Sequence, residues 1–214
     1  MKQRTDASRF GIIVYEGVEP IDIGGTVGVI SMARRVLPGI DSVTIAAEPG
    51  LVHLAGGLSI VAAAGFDSCP ACDVFIVCGG PGWEQQVKDT AMLAFLRRLP
   101  AGNAASVCTG AMILAAAGLL DGRRATTRRK AAGAEPSAPL QQLVALSAST
   151  QPLEAAIVED RGVVTSGGVS LAIDGTLHLI GRVYGPEARD EVARLIEYDR
   201  AFEANRLALG HAVY

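Results

Sequence analysis

The chain predicts an α/β sandwich around a mostly parallel central sheet. Three observations carry this. Short apolar runs of strand character alternate with helical runs along most of the 214 residues. The strand runs are apolar throughout rather than alternating, as strands covered on both faces are. One of them, residues 104–107, passes straight into a smooth apolar helix at Cys108, the pattern of a nucleophile elbow. The length fits one domain spanning residues 1–214, with a polar tail over about residues 1–9.

Residues 10–15 (F-G-I-I-V-Y) form the first buried strand, and 22–35 carry a helical pattern with Val27 and Ile30 on its apolar side. Residues 43–47 give a second strand. Residues 51–61 alternate on both sides of Gly56-Gly57, a hairpin signal. Residues 73–77 are another buried strand, ending in C-G-G-P-G, and 83–98 follow as a helix. After the elbow, 131–139 hold two prolines and few large apolar residues, and so predict a loop. Residues 155–158 and 163–165 flank a turn at E-D-R-G. Residues 170–184 and 186–209 predict two closing helices, with Pro186 in the first turn of the second. In such a sheet ligands sit at the carboxyl ends of the strands. Tyr15, Gly79 and Cys108 each end or follow a strand, so they can share that edge.

Composition narrows the function. Half of the residues are hydrophobic and the formal net charge is −3, which does not favour nucleic acid as a partner. The basic cluster Arg123, Arg124, Arg128, Arg129 and Lys130 lacks interleaved aromatics and reads as a solvated loop. The N-terminus lacks the apolar core of a signal peptide. The longest smooth apolar run, 111–120, is half of the ~20 residues that a membrane span needs. A cytoplasmic protein without a membrane partner is expected. Four cysteines do not make a disulfide framework. Cys69 and Cys72 have the C-x-x-C spacing of a redox pair or half a metal site, but nothing completes a four-ligand set, so no metal is expected.

Cys108 is the leading candidate for chemistry. A thiol at a helix start feels the positive end of the helix, which predicts a lowered pKa and a nucleophilic thiolate. The competing reading is a small buried hydrophobe. Gly79-Gly80, after a buried strand, could present backbone N–H groups to a reacting atom, or could simply turn the chain. Asp22, flanked by Ile21 and Ile23, is either a desolvated proton shuttle or a helix N-cap. Of His53, His178 and His211, none immediately follows Cys108, and His178 lies in an apolar helical run. A carboxylate partner for the cysteine fits better than a histidine.

Four segments carry a family resemblance: V-E-P-I-D-I-G-G at 18–25, V-F-I-V-C-G-G-P-G at 74–82, the elbow segment at 106–127, and V-V-T-S-G-G-V-S-L-A-I-D at 163–174. With them the chain resembles the ThiJ/PfpI superfamily, of class I glutamine amidotransferase-like type. It is most similar to the isonitrile hydratase branch and to the amidase-like domain that opens some AraC-type regulators. The resemblance implies a flavodoxin-like three-layer sandwich. It also implies roles: Cys108 as nucleophile, Asp22 as its proton-handling partner, Thr109 as the residue after the nucleophile, and Gly79 and Gly80 as backbone facing the reacting atom. Pro81, Trp83, Gly167 and Gly168 would line the substrate pocket.

The expected reaction is cysteine-dependent hydration of an isonitrile to an N-substituted formamide, with no cofactor. Its partners would be a small-molecule electrophile and a second copy of the chain in a homodimer. The alternatives are a cysteine-based redox sensor or another superfamily activity, glyoxalase, deglycase or amidase. One departure stands out. The A-T-T-H-W that usually follows the elbow helix is Ala125-Thr126-Thr127-Arg128-Arg129 here.

Overall fold

The computed structural model describes residues 1–100 and 102–214. Its strands are β1 (Ser8–Ile13), β2 (Ile40–Ala46), β3 (Gly50–His53), β4 (Ser59–Ala62), β5 (Ala64–Gly65), β6 (Val74–Val77), β7 (Ala104–Ser106), β8 (Arg124–Ala125), β9 (Gln151–Pro152), β10 (Ile157–Asp160), β11 (Val163–Ser166) and β12 (His211–Val213). Eight of them form the central sheet in the order β12-β10-β11-β7-β6-β1-β2-β5. From β5 to β11 every pairing is parallel; β10 runs antiparallel to β11, and β12 follows β10. The apolar runs behave as expected: β6 is buried along its whole length, and β1 at every position but Arg9. The sheet is therefore mostly parallel, as predicted.

The helices are α1 (Pro20–Ile23), α2 (Val29–Ala33), α3 (Trp83–Gln86), α4 (Thr90–Arg97), α5 (Gly110–Ala116), α6 (Pro139–Leu146), α7 (Ala172–Tyr184), α8 (Pro186–Leu195) and α9 (Asp199–Leu209). They fall into two packed groups that flank the sheet. In one, α2, α7 and α8 contact one another; in the other, α5 meets α3, α4 and α6. The α5 segment is apolar on every side because every side is covered. Met112, Ile113 and Leu114 are fully buried, and each such side chain is worth roughly 1.5–3 kcal/mol relative to exposure.

Local chemistry moves several boundaries. The single helix expected over 83–98 is two, because the Asp89 carboxylate accepts from the N–H groups of Ala91 and Met92 and caps a new start. The helix over 186–209 breaks into α8 and α9 at Glu197, whose φ is +55°. The helix over 22–35 begins at Pro20 and carries a π-type widening at Gly24–Gly28 between α1 and α2. Gly56 and Gly57, at φ +73° and +88°, make the expected turn between β3 and β4. The polar N-terminus is tied down. Lys2 donates from its backbone to Val183 and from Nζ to Asp73, and β1 begins at Ser8. No helix among the described residues is long and apolar enough to cross a membrane.

Candidate active site

The carboxyl ends of β1, β6 and β7 meet at one edge, and Cys108 stands there between β7 and α5. Its φ is +52°, a left-handed conformation that a non-glycine residue adopts only when its surroundings enforce it. The enforcement is visible. The Cys108 N–H donates to the Gly167 carbonyl at 3.2 Å, and Thr127 Oγ1 donates to the Cys108 carbonyl at 2.7 Å. The next turn has no spare room, since a Cβ on Gly110 would lie 2.1 Å from the Val77 oxygen. The strand-to-helix bend therefore needs Gly110 and fixes the thiol at the sheet edge.

Asp22 is fully buried within α1. It caps nothing, which removes the N-cap reading. Its Oδ2 accepts from the Gly79 N–H at 2.7 Å, and Oδ1 has no protein partner. Burial pushes its carboxyl up to about 7, aided by the Glu19 charge, while the Gly79 N–H and Arg128 act in the opposite direction. A carboxyl poised near neutral pH can both hold and release a proton.

The Cys108 thiol departs from the sequence expectation. It is pushed up to about 12, first by burial and then by the Asp22 charge; the Thr109 N–H and hydroxyl and Arg128 oppose this without prevailing. The helix end loses because the thiol is 4% exposed and α5 begins only at Gly110. A resting thiol beside a titrating carboxyl replaces the expected resting thiolate. No hydrogen bond joins the two side chains; they couple through charge.

The glycine pair also acts differently from expectation. The Gly79 N–H is committed to Asp22, and the Gly80 N–H donates to Thr109 Oγ1 at 2.9 Å. Neither is free for a reacting atom. Gly79 aims the carboxylate and Gly80 aims the Thr109 hydroxyl. Tyr15, buried, donates its hydroxyl to the Cys78 carbonyl at 2.9 Å and braces the same turn. Cys78 itself is fully buried, its thiol pushed well up by burial, with Thr26 Oγ1 3.9 Å from its sulfur.

A cleft of about 350 Å³ opens over Cys108. Pro81 and Trp83 line it, together with Gly80, Thr109 and Val169. Gly168 approaches the thiol closely: a Cβ there would be 3.0 Å from Cys108 Sγ. Gly167 serves instead through its carbonyl, behind the cysteine.

Three charged residues not foreseen as site residues line the same cleft: Glu19, Arg128 and Glu135. Arg128 belongs to the basic cluster that composition assigned to a solvated loop. That cluster is dispersed in the fold. Arg124 lies 4.0 Å over the Tyr214 ring, Arg123 donates to the Asp160 carbonyl, and Arg128 forms an ion pair with Glu135. The signal available was the position of Arg128, directly after the Thr127 that anchors the elbow. The histidines lie elsewhere. His178 meets Glu159 at 2.7 Å beside β10, and His211 is in β12. Cys69 and Cys72 each point a thiol at the Pro70 carbonyl, 3.4 Å away, before β6.

Comparison with known proteins follows the same lines. The DJ-1/PfpI family pattern matches residues 8–181. Isonitrile hydratase of Pseudomonas putida is 30% identical over 194 residues, covering 90% of this chain and 79% of that protein. The HTH-type transcriptional regulator GbdR of Pseudomonas aeruginosa is 30% identical over 202 residues, covering 92% of this chain and 53% of the regulator, so the chain spans about half of its length. Among solved structures, a ThiJ/PfpI family protein from Pseudomonas syringae superposes with a TM-score of 0.76 at 28% identity, over 91% of this chain and 76% of that one. Drosophila melanogaster DJ-1beta shares the fold, with a TM-score of 0.74 at 19% identity over 89% of this chain and 98% of its own. By its sequence, its sheet and its cysteine elbow, the chain belongs to the DJ-1/PfpI family.

Proposed function

We propose that this protein is a cysteine-dependent hydratase that converts an isonitrile into an N-substituted formamide. The observation that carries the reading is a thiol lining a small cleft and coupled by charge to a fully buried, proton-exchanging carboxyl. Cys108 is 4% exposed and Asp22 is fully buried, with its carboxyl pushed up to about 7. The likeness to the Pseudomonas putida hydratase, 30% over 90% of the chain, supports the substrate.

The terminal carbon of R–N≡C needs a nucleophile and a proton on the same atom. Cys108 sulfur bonds to that carbon while its own proton passes to Asp22; the protonated Asp22 delivers a proton to the carbon, giving the thioimidate R–N=CH–S–Cys. Asp22 then removes a proton from water as the oxygen adds to the same carbon, and passes that proton to the nitrogen; the remaining hydroxyl proton goes to the sulfur as the adduct collapses. The C–S bond breaks, the formamide R–NH–CHO leaves, and the thiol is restored. The sum is one isonitrile plus one water, with no redox change. Thr109, held by Gly80, orients its hydroxyl beside the thiol.

Amide hydrolysis would want an imidazole, and none of the cleft-lining residues is a histidine. The test is to incubate the protein with cyclohexyl isonitrile and follow N-cyclohexylformamide. Formamide that disappears with Cys108→Ser supports the reading. No formamide from a protein with reduced Cys108 overturns the substrate.

A further inference from the structure

The mechanism leaves three charged groups in the cleft idle, Glu19, Arg128 and Glu135. Arg128 is the only cation among the described residues that line it. Its side chain is 13% exposed and its partner Glu135 is 25% exposed, so the pair is largely removed from water. Its Cβ and Cγ pack against Gly168: a Cβ on that glycine would be 2.8 and 2.9 Å from them, and 3.0 Å from Cys108 Sγ. Gly168 is thus a thin spacer between the arginine stem and the sulfur.

The acids are distributed unevenly. Glu19 lies on the Gly80 side, its N–H on the Gly79 carbonyl. Glu135 accepts from Arg128 with Oε1 and from the Ala132 N–H with Oε2 at 2.8 Å. Residues 129–134, between the two partners, are exposed.

We propose that Arg128 determines specificity at this site: its guanidinium binds a carboxylate carried by the electrophile that Cys108 attacks, and Glu135 occupies that place until the substrate arrives. This rests on Cys108 as the nucleophile, not on the isonitrile. A guanidinium shielded from water needs a hydrogen-bonded anion, and a planar carboxylate is its best match. A buried arginine stripped of its partner is costly. Exchanging one carboxylate for another keeps the pair intact. The displaced Glu135 stands on an otherwise exposed loop, so its charge returns to water. Glu19 repels a second anion on the other side and directs the substrate's carboxylate toward Arg128. For a hydratase, this selects isocyano carboxylates over neutral isonitriles.

The test compares iodoacetate with iodoacetamide at Cys108, read by peptide mass spectrometry. In both reactions the S–C bond forms, the C–I bond breaks and iodide leaves. The two reagents differ in charge and draw on the same thiolate, so the thiolate fraction cancels in the ratio of their rates. The ratio should fall about tenfold in Arg128→Gln, the loss of a charge-assisted pair. It should be partly kept in Arg128→Lys and should rise in Glu135→Gln, which frees the guanidinium.

A ratio unchanged within about twofold in Arg128→Gln overturns the proposal. If Arg128→Gln does not fold, a Glu135→Gln ratio at or below that of the parent protein overturns it instead. A parent Cys108 that neither reagent labels removes the nucleophile, and the proposal with it. A failed isonitrile assay alongside the expected ratios overturns only the hydratase reading.

Discussion

The elbow and the loop that follows it are adjacent in sequence and built on opposite principles. The elbow packs Cys108, Asp22, Thr109 and Gly110 into a buried lattice, with the Asp22 carboxylate and the Thr109 hydroxyl held by the Gly79 and Gly80 N–H groups. The loop from Arg128 to Ala138 is exposed over residues 129–134 and is tied across by the Arg128–Glu135 pair. A reacting pair needs fixed geometry and a low-dielectric setting that can move a carboxyl toward neutrality. A loop that chooses the substrate needs only a group that can change partners. The difference locates chemistry in the elbow and selectivity in the loop, and substitutions can separate them.

The largest expected effect is on the elbow. Cys108→Ser should lower formamide production by about 10³-fold or more, because a hydroxyl is a far weaker nucleophile. Full activity in that variant would erase the comparison.

Asp22→Asn sharpens it. Turnover should fall by about 10²-fold or more with the loss of the proton carrier. Alkylation of Cys108 by iodoacetamide should become faster, since the Asp22 charge is one cause of the raised thiol. A purely structural defect would not move the two rates in opposite directions.

The same variant has a stability signature. A carboxyl raised from 3.8 to about 7 on folding favours the folded state while it is protonated. That contribution is fully present below the unfolded value near 4 and is lost as pH rises through about 7. Asp22→Asn should therefore raise Tm more at pH 8 than at pH 4; a uniform shift would mean that the carboxyl is not the cause.

Gly110→Ala tests the lattice itself. Its new Cβ would meet the Val77 oxygen at 2.1 Å, so urea denaturation should show a loss of ~1–3 kcal/mol. The smallest effect belongs to the loop. Glu135→Gln should change unfolding stability by only about 1 kcal/mol, because the amide oxygen still accepts a weaker hydrogen bond from the largely shielded Arg128 guanidinium. A larger loss would mean that the loop is part of the lattice and not a separate device.

Buried strands announce themselves, which is why β1, β6 and β7 were legible as apolar runs. The elbow was legible for a similar reason: an apolar helix directly after a buried strand leaves one polar residue at the bend. Short elements were not. β12 has three residues and exists by pairing with β10, and β8 and β9 have two residues each. The break at Glu197 was invisible because a left-handed residue that is not glycine carries no compositional mark. Arg128 was misjudged because five basic residues in eight positions look alike in a string, and only the fold sends one of them to the cleft.

The sequence by itself determined the sheet, the elbow and the identity of the residues at its bend, since those follow from runs of hydrophobicity and from where small residues permit a sharp turn. Tertiary structure alone decided the state of the thiol. The pull of a helix start can be anticipated from sequence order, but burial and the nearness of Asp22 depend on segments 86 positions apart along the chain, the difference between 108 and 22. Desolvation grows with every neighbour that excludes water, and here it outweighs the helix end and holds Cys108 as a thiol until Asp22 takes its proton.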